Sequence, residues 1–158
     1  MMTAEYINPF LQSATLVFKE ILGLNLFRGK TAVLTNPLPE RDIAILIGVK
    51  GSVQGEAVYS MNIETVYKIC RKLMPGADEK TIQYEYRDVL GELANMMTGN
   101  ALNIFMTKDT DLDVTVPHVV DVRNGGLRFK DQTTLALNLY SSYGILEIKI
   151  ALSGTKPA

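Results

Sequence analysis

Glu92 and Asn95 are the residues whose types and spacing best suit chemistry in this chain. They lie in the stretch DVLGELANMMTGNALN, Asp88 to Asn103, whose composition is strongly helical. On a helix a spacing of three sets a carboxylate and an amide side by side, both pointing the same way. The carboxylate suits a lysine or arginine brought by a partner. The amide is no base, but it both donates and accepts, so it can hold a water molecule and aim it, as a Gln does in GTPases. Asp88, Glu92, Asn95, Gly99 and Asn103 follow one another at 4, 3, 4 and 4 residues and form one narrow polar stripe. Asn and Gly each cost a helix up to about 1 kcal/mol, so something other than helix stability selects them there. Taken alone, Glu-x-x-Asn on a helix is a weak motif, and without further context a solvated helix face is the preferred reading of the same stripe.

Opposite the stripe, Leu90, Leu93, Ala94, Met97, Ala101, Ile104 and Phe105 form a broad apolar arc. Asn100 projects toward that arc, where a buried amide needs hydrogen-bond partners, and it is expected to tie the helix to a neighbouring loop. Other chemistries are poorly supplied. His118 is the one histidine, which excludes a multi-histidine zinc site, and beside Pro117 at a strand start it reads as structural or exposed rather than catalytic. Cys70 is the one cysteine, which excludes an intrachain disulfide, and it reads as a buried small hydrophobe. Asp109, Asp111 and Asp113 imitate the start of a calcium loop, but Val114 and Val120 stand where such a loop needs Gly and Glu. No phosphate-cradling or dinucleotide glycine motif occurs. Any catalysis is therefore expected to use no metal, cofactor or nucleophile of the chain's own.

The elements that must position the pair follow from periodicity. Asn8-Pro9 reads as a capped start for a helix running to Leu22, with Gly23 as its C-cap. Leu24 to Leu34 turns extended, with Gly29 a turn or bulge. Asn36 to Pro39 is a loop. Asp42 to Val49 and Val53 to Met61 make a β-hairpin about Lys50-Gly51-Ser52. Asn62 is expected to cap a helix ending at Met74-Pro75-Gly76, and Asp78 opens a long helix reaching about Lys108. Strand signals follow at Leu112–Val116, Val119–Val122 and Leu127–Phe129, with a turn at Asn124-Gly125-Gly126. Thr134–Tyr140 and Ile145–Leu152 alternate cleanly and form a second hairpin through Ser141 to Gly144. The pattern predicts an α+β fold, a largely antiparallel sheet of about six strands with helices packed on one face, and polar residues on the other strand faces predict that only one face is covered.

At 158 residues the chain reads as a single domain, residues 1–158. Apolar residues at 47% and charged residues at 21% suit a soluble globular protein, and a formal charge of −1 argues against a nucleic-acid binder. The N-terminus has no signal-peptide pattern and no apolar run is long enough for a membrane span, so a cytoplasmic protein is expected.

The run Glu92 to Ala101, the opening Ile7-Asn8-Pro9-Phe10 and the Gly51-Ser52-Val53-Gln54-Gly55 hairpin resemble the CheC/CheX/FliY family of bacterial chemotaxis phosphatases. The family pattern of Asp or Ser, three residues, Glu, two residues and Asn fits Asp88, Glu92 and Asn95, whereas Pro117 comes one residue early for the proline that follows. That departure weakens a role for Pro117. The resemblance implies a CheX-like α+β fold and hydrolysis of the phosphoryl-aspartate of a CheY-type response regulator. By that resemblance Asn95 orients the attacking water and Glu92 pairs with the regulator's lysine, while Asp88, Gly99 and Asn103 belong to the partner-binding face. It also implies Mg2+ supplied on the phosphorylated partner, none bound by this chain, and a homodimer. The first helix offers no Glu-x-x-Asn, so one site per subunit is expected. The alternative is a non-catalytic module that docks on a regulator.

Overall fold

Clean alternation near the C-terminus places the last two strands in the middle of the molecule. In the computed structural model, which describes residues 4–35, 41–107, 111–124 and 133–154, three helices are α1 (Ile7–Val17), α2 (Ile63–Leu73) and α3 (Glu79–Thr107). The described strands are β1 (Phe27–Thr35), β2 (Ile43–Gly51), β3 (Val53–Met61), β4 (Leu112–Val114), β5 (His118–Asp121), β6 (Thr133–Ser141) and β7 (Gly144–Gly154). They form one sheet in the order β1-β6-β7-β3-β2-β4, with β5 also paired to β2. Every pairing is antiparallel, so the fold is α+β as the pattern predicts, with seven described strands rather than about six. The extra count comes from β4 and β5, two short strands sharing the free side of β2.

Two hairpins, β2–β3 and β6–β7, join through β3 and β7, and each strand's alternation decides its inner face. Ile43, Ile45 and Ile47, Tyr59 and Met61, Leu137 and Leu139, and Ile148 and Ile150 are all buried on the helix side. Burying each such side chain is worth about 1.5–3 kcal/mol, and a one-residue slip would turn the whole row outward. Helices α1 and α2 both pack on α3. The bulge at Gly29 is present: the β1–β6 register shifts between Arg28 and Thr31, and a Cβ at Gly29 would come 2.8 Å from the Tyr140 ring and 2.9 Å from the Asn138 carbonyl oxygen.

Three expectations are corrected. First, α1 begins at Ile7 after a 3-10 turn at Ala4–Tyr6, with Asn8 inside the helix rather than capping it. Pro9 still falls in the first turn, where amide hydrogens lack intrahelical partners in any case. The helix then closes in a π-helical turn, Phe18–Leu22, and Gly23 at φ 67° is the C-cap: its amide donates to the Lys19 carbonyl and Leu24 donates to Phe18. Second, Asn62 precedes α2 but makes no side-chain cap; the Ile63 amide donates instead to Asp42 Oδ2 at 2.8 Å, a cap delivered from the start of β2. Third, the sheet is not covered on one face only. Val58, Ser60, Glu147, Lys149 and Ala151, all on the face away from the helices, are buried. Polar alternation marks which residues share a face; it does not say whether water reaches that face. The Asn36–Pro39 loop, the Gly125-Gly126 turn and the Leu127–Phe129 strand lie outside the described residues.

On that second face Lys149 Nζ lies 3.2 Å from Glu147 Oε1, with both side chains buried, although the approach is not aligned as a hydrogen bond. Removing one member of a buried pair strands the other charge, whereas replacing both with apolar residues of similar volume is close to neutral. Lys149→Met is therefore expected to cost about 3–5 kcal/mol, and the double change Lys149→Met with Glu147→Leu much less. Urea denaturation of the two variants checks the difference.

Candidate functional site

Helix α3 carries the acid and amide, and two kinds of contact fix its rotation. Ile82, Leu90, Leu93, Ala94, Met97, Ala101 and Phe105 lie buried along one side. Phe105 also meets Phe10 of α1 edge-on at 5.9 Å and Tyr6 at 6.3 Å. The sequence arc is reproduced, except that Ile104 is half-buried and Thr98 joins the inner side. Thr98 Oγ1 lies 3.2 Å from the Tyr59 hydroxyl of β3, both fully enclosed, and burial pushes the Tyr59 phenol well above its ordinary range. This bond is directional, so it selects one rotation where an apolar stripe would tolerate several.

With that side fixed, Asp88, Glu92, Asn95 and Asn103 are exposed and Gly99 is half-exposed, so the whole stripe faces outward. Glu92 and Asn95 sit one turn apart, about 4.5 Å along the axis. Among the described residues, neither side chain makes a hydrogen bond. Asn100 is half-buried, and no side-chain hydrogen bond ties it to a described neighbour.

The pair does not stand on a bare convex helix. It borders a cavity of about 640 Å³ whose near wall is Arg87, Asp88, Gly91, Glu92 and Asn95, and whose far wall is the segment Val116–Val119. Gly99 and Asn103 lie further along α3, outside the cavity. The far wall is pinned at three points. Thr115 both donates its amide to the Gly48 carbonyl at 3.0 Å and accepts the Gly48 amide at Oγ1, 2.8 Å away. His118–Asp121 pair with β2. Arg87 Nη1 then reaches across from α3 to donate to the Val119 carbonyl at 2.8 Å. Arg123 chelates Asp121 just beyond, at 3.0 and 2.8 Å, and holds that carboxyl below the usual carboxylate range.

Sequence reasoning found the near wall's acid and amide but missed Arg87, Gly91 and Val116, and discounted Pro117 and His118, which the fold sets opposite the pair. Their signal was not periodic; only the β2–β5 register brings Val116–Val119 beside α3. Cys70 is buried, and burial pushes its thiol up to about 11, as expected of an inert side chain. Asp111 is exposed just before β4 and Asp113 is exposed within it, paired with Lys50 of β2, while Asp109 lies outside the described residues. Among the described residues no group of three or more His, Cys, Asp or Glu is placed to hold a metal ion.

The structure is thus an antiparallel α+β domain whose longest helix carries an outward acid–amide pair beside a walled cavity. The family model described as chemotaxis phosphatase CheX matches residues 43–137, a span holding the pair and both walls. The chain belongs to the CheX family. The CheY-P phosphatase CheX of Thermotoga maritima is 25% identical over 123 residues, 78% of this chain and 79% of that protein. A CheC-like superfamily protein from Shewanella superposes with a TM-score of 0.83 at 30% identity, covering 97% of this chain and all of that one. CheX from Borrelia burgdorferi, solved in a complex with CheY, BeF3 and Mg2+, superposes with a TM-score of 0.78 at 25% identity, covering 93% and 97%.

The start of α3 is held by Asp78, whose Oδ1 accepts the Thr81 amide at 2.8 Å and the Thr81 hydroxyl at 2.7 Å. These bonds favour the carboxylate and lower the Asp78 pKa, the hydroxyl contributing most. A pKa lowered by folding stabilises the native state above the unfolded value, about 3.9, and that contribution is lost as pH falls through the native value. Asp78→Ala is thus expected to melt below wild type at neutral pH, with the gap narrowing once the pH drops below about 4. Thermal melts of both proteins across that range check it.

Proposed function

We propose that this chain is a phosphatase acting on the phosphoryl-aspartate of a CheY-type response regulator. The observation that carries the reading is the Glu92–Asn95 pair, outward and without a hydrogen-bond partner among the described residues, on a rotationally fixed helix in a member of a chemotaxis phosphatase family. The Thermotoga relative is a CheY-P phosphatase, and the Borrelia relative forms a complex with CheY and BeF3, a fluoride that stands in for the phosphoryl group.

In this reading α3 enters the regulator's phosphorylated pocket. Asn95 Oδ1 accepts a proton-bearing edge of a water molecule, and its NH2 group donates to a neighbouring oxygen, which together hold the water in line with phosphorus. The water oxygen forms the new P–O bond as the bond to the aspartyl oxygen breaks. Inorganic phosphate leaves, the regulator regains a free carboxylate, and the water's proton passes to the released products or solvent. Glu92 pairs with the regulator's lysine and anchors the complex. Asp88, Gly99 and Asn103 extend the contact face along α3. Charge neutralisation at the phosphoryl oxygens would be supplied by Mg2+ carried on the partner, and the described residues of this chain that face the partner would only hold and aim. Positioning of this kind is where a rate gain is expected when little covalent chemistry is left to the catalyst.

The chain is further proposed to act in the cytoplasm as a homodimer. No helix among the described residues is long and apolar enough to cross a membrane. Edge strand β1 leaves Phe27 and Val33 each 67% exposed, an edge suited to pairing with a second copy.

The deciding experiment is phosphate release from a phosphorylated regulator with and without this chain. Asn95→Ala is expected to keep the fold and lose about 100-fold or more in stimulated rate, because it removes the group that aims the water. Glu92→Ala is expected to act mainly by raising KM. Saturable regulator binding by the wild type with no acceleration would make the chain a non-catalytic docking module instead. Asn95→Ala matching the wild-type rate would overturn the mechanism.

A further inference from the structure

Gly91 lines the cavity one residue before Glu92, and neither helix stability nor packing accounts for it. Glycine weakens a helix interior relative to alanine. A Cβ built at Gly91 meets nothing within 4 Å, and its φ is not among the chain's positive values, so no neighbour and no backbone turn demands glycine there. The same open space lies over Gly99, two turns further along the outer face. Across the groove Val116 is 85% exposed, an apolar side chain held out to solvent by the doubly hydrogen-bonded Thr115 beside it. Arg87 bridges the two walls through the Val119 carbonyl and so sets their separation.

We infer that this groove receives the main chain of a partner loop, with the loop's backbone crossing Gly91 and its flank resting on Val116 and Pro117. A missing Cβ lets a visiting backbone approach a helix most closely. Asp88 and Glu92 on the near wall favour a loop that carries a lysine or arginine, while the Arg87 guanidinium is already engaged with the far wall. The identity of the partner rests on the phosphatase reading above: the loop is the one that bears the lysine opposite Glu92. Groove and pair are then a single docking surface in which the groove holds the loop and the pair acts beside it. Val116 is the specificity-determining side chain, since its apolar surface is covered only by a loop of matching shape.

The experiment compares Gly91→Ala and Val116→Ser with wild type. With open space at the Cβ and a better helix former, Gly91→Ala is expected to melt at or above the wild-type temperature. It is expected to raise KM for the phosphorylated regulator about tenfold, with kcat at saturation within about twofold of wild type. Val116→Ser is expected to raise KM in the same direction. Gly91→Ala with unchanged KM would overturn the inference, as would a clear drop in its melting temperature, which would make the glycine structural. A change in self-association with regulator affinity unchanged would assign the groove to a second copy and also overturn it. Failure of the phosphatase reading looks different: wild type and Asn95→Ala are then equally inert. In that event titration calorimetry with the BeF3-loaded regulator reads the groove directly, a tenfold weaker Kd for Gly91→Ala supporting the loop contact and an equal Kd refuting it.

Discussion

The rotation of α3 about its own axis is the constraint on which the rest of the structure depends. A helix has one angular degree of freedom when it lies on a sheet, and an apolar stripe fixes it only loosely, because hydrophobic burial is not directional. The Thr98–Tyr59 hydrogen bond adds a direction. Both groups are fully enclosed, so a rotation that parted them would leave two buried polar atoms unsatisfied, each at a cost of about 1–3 kcal/mol. The Phe105 contacts with Phe10 and Tyr6 do the same work near the helix C-terminus, about two turns away. The outward aim of Glu92 and Asn95 is the far side of this inner arrangement.

The sheet contributes more than a platform. Its edge beside β2 is occupied by two short strands rather than one long one, and in the break between them Thr115 stays bonded to Gly48 while Val116 and Pro117 face the groove beside α3. Arg87 then closes the gap from the helix side. Helix and edge strand thus make a walled groove, and a partner meets a concave surface with chemistry along one rim. Such a surface constrains orientation as well as contact, which a reaction dependent on aiming a water molecule requires.

The second face of the sheet shows a different economy. Glu147 and Lys149 would be ordinary surface residues on an open sheet, yet they are enclosed with Ser60 beside them. Buried ion pairs seldom add stability over an apolar core, but taking away one member leaves the other charge enclosed without it. Here the pair sits within one strand, β7, at the seam where the two hairpins meet, with Lys149 opposite Val58 and Glu147 opposite Ser60 of β3.

Much was legible in the sequence because it is written in short-range periodicity. The two faces of α3, the two hairpins, the Gly29 bulge, the Gly23 cap and the outward Glu92–Asn95 pair each follow from side chains within a turn or two of one another. What only the tertiary structure decided involves residues far apart in the chain. Asp42 caps α2 in place of Asn62, the polar face of β7 is covered, and Arg87 meets Val119 across 32 residues. Local patterns specify which way a side chain points from its own strand or helix. Which neighbour it then meets is set by the register of the sheet, a cooperative property of all its strands together.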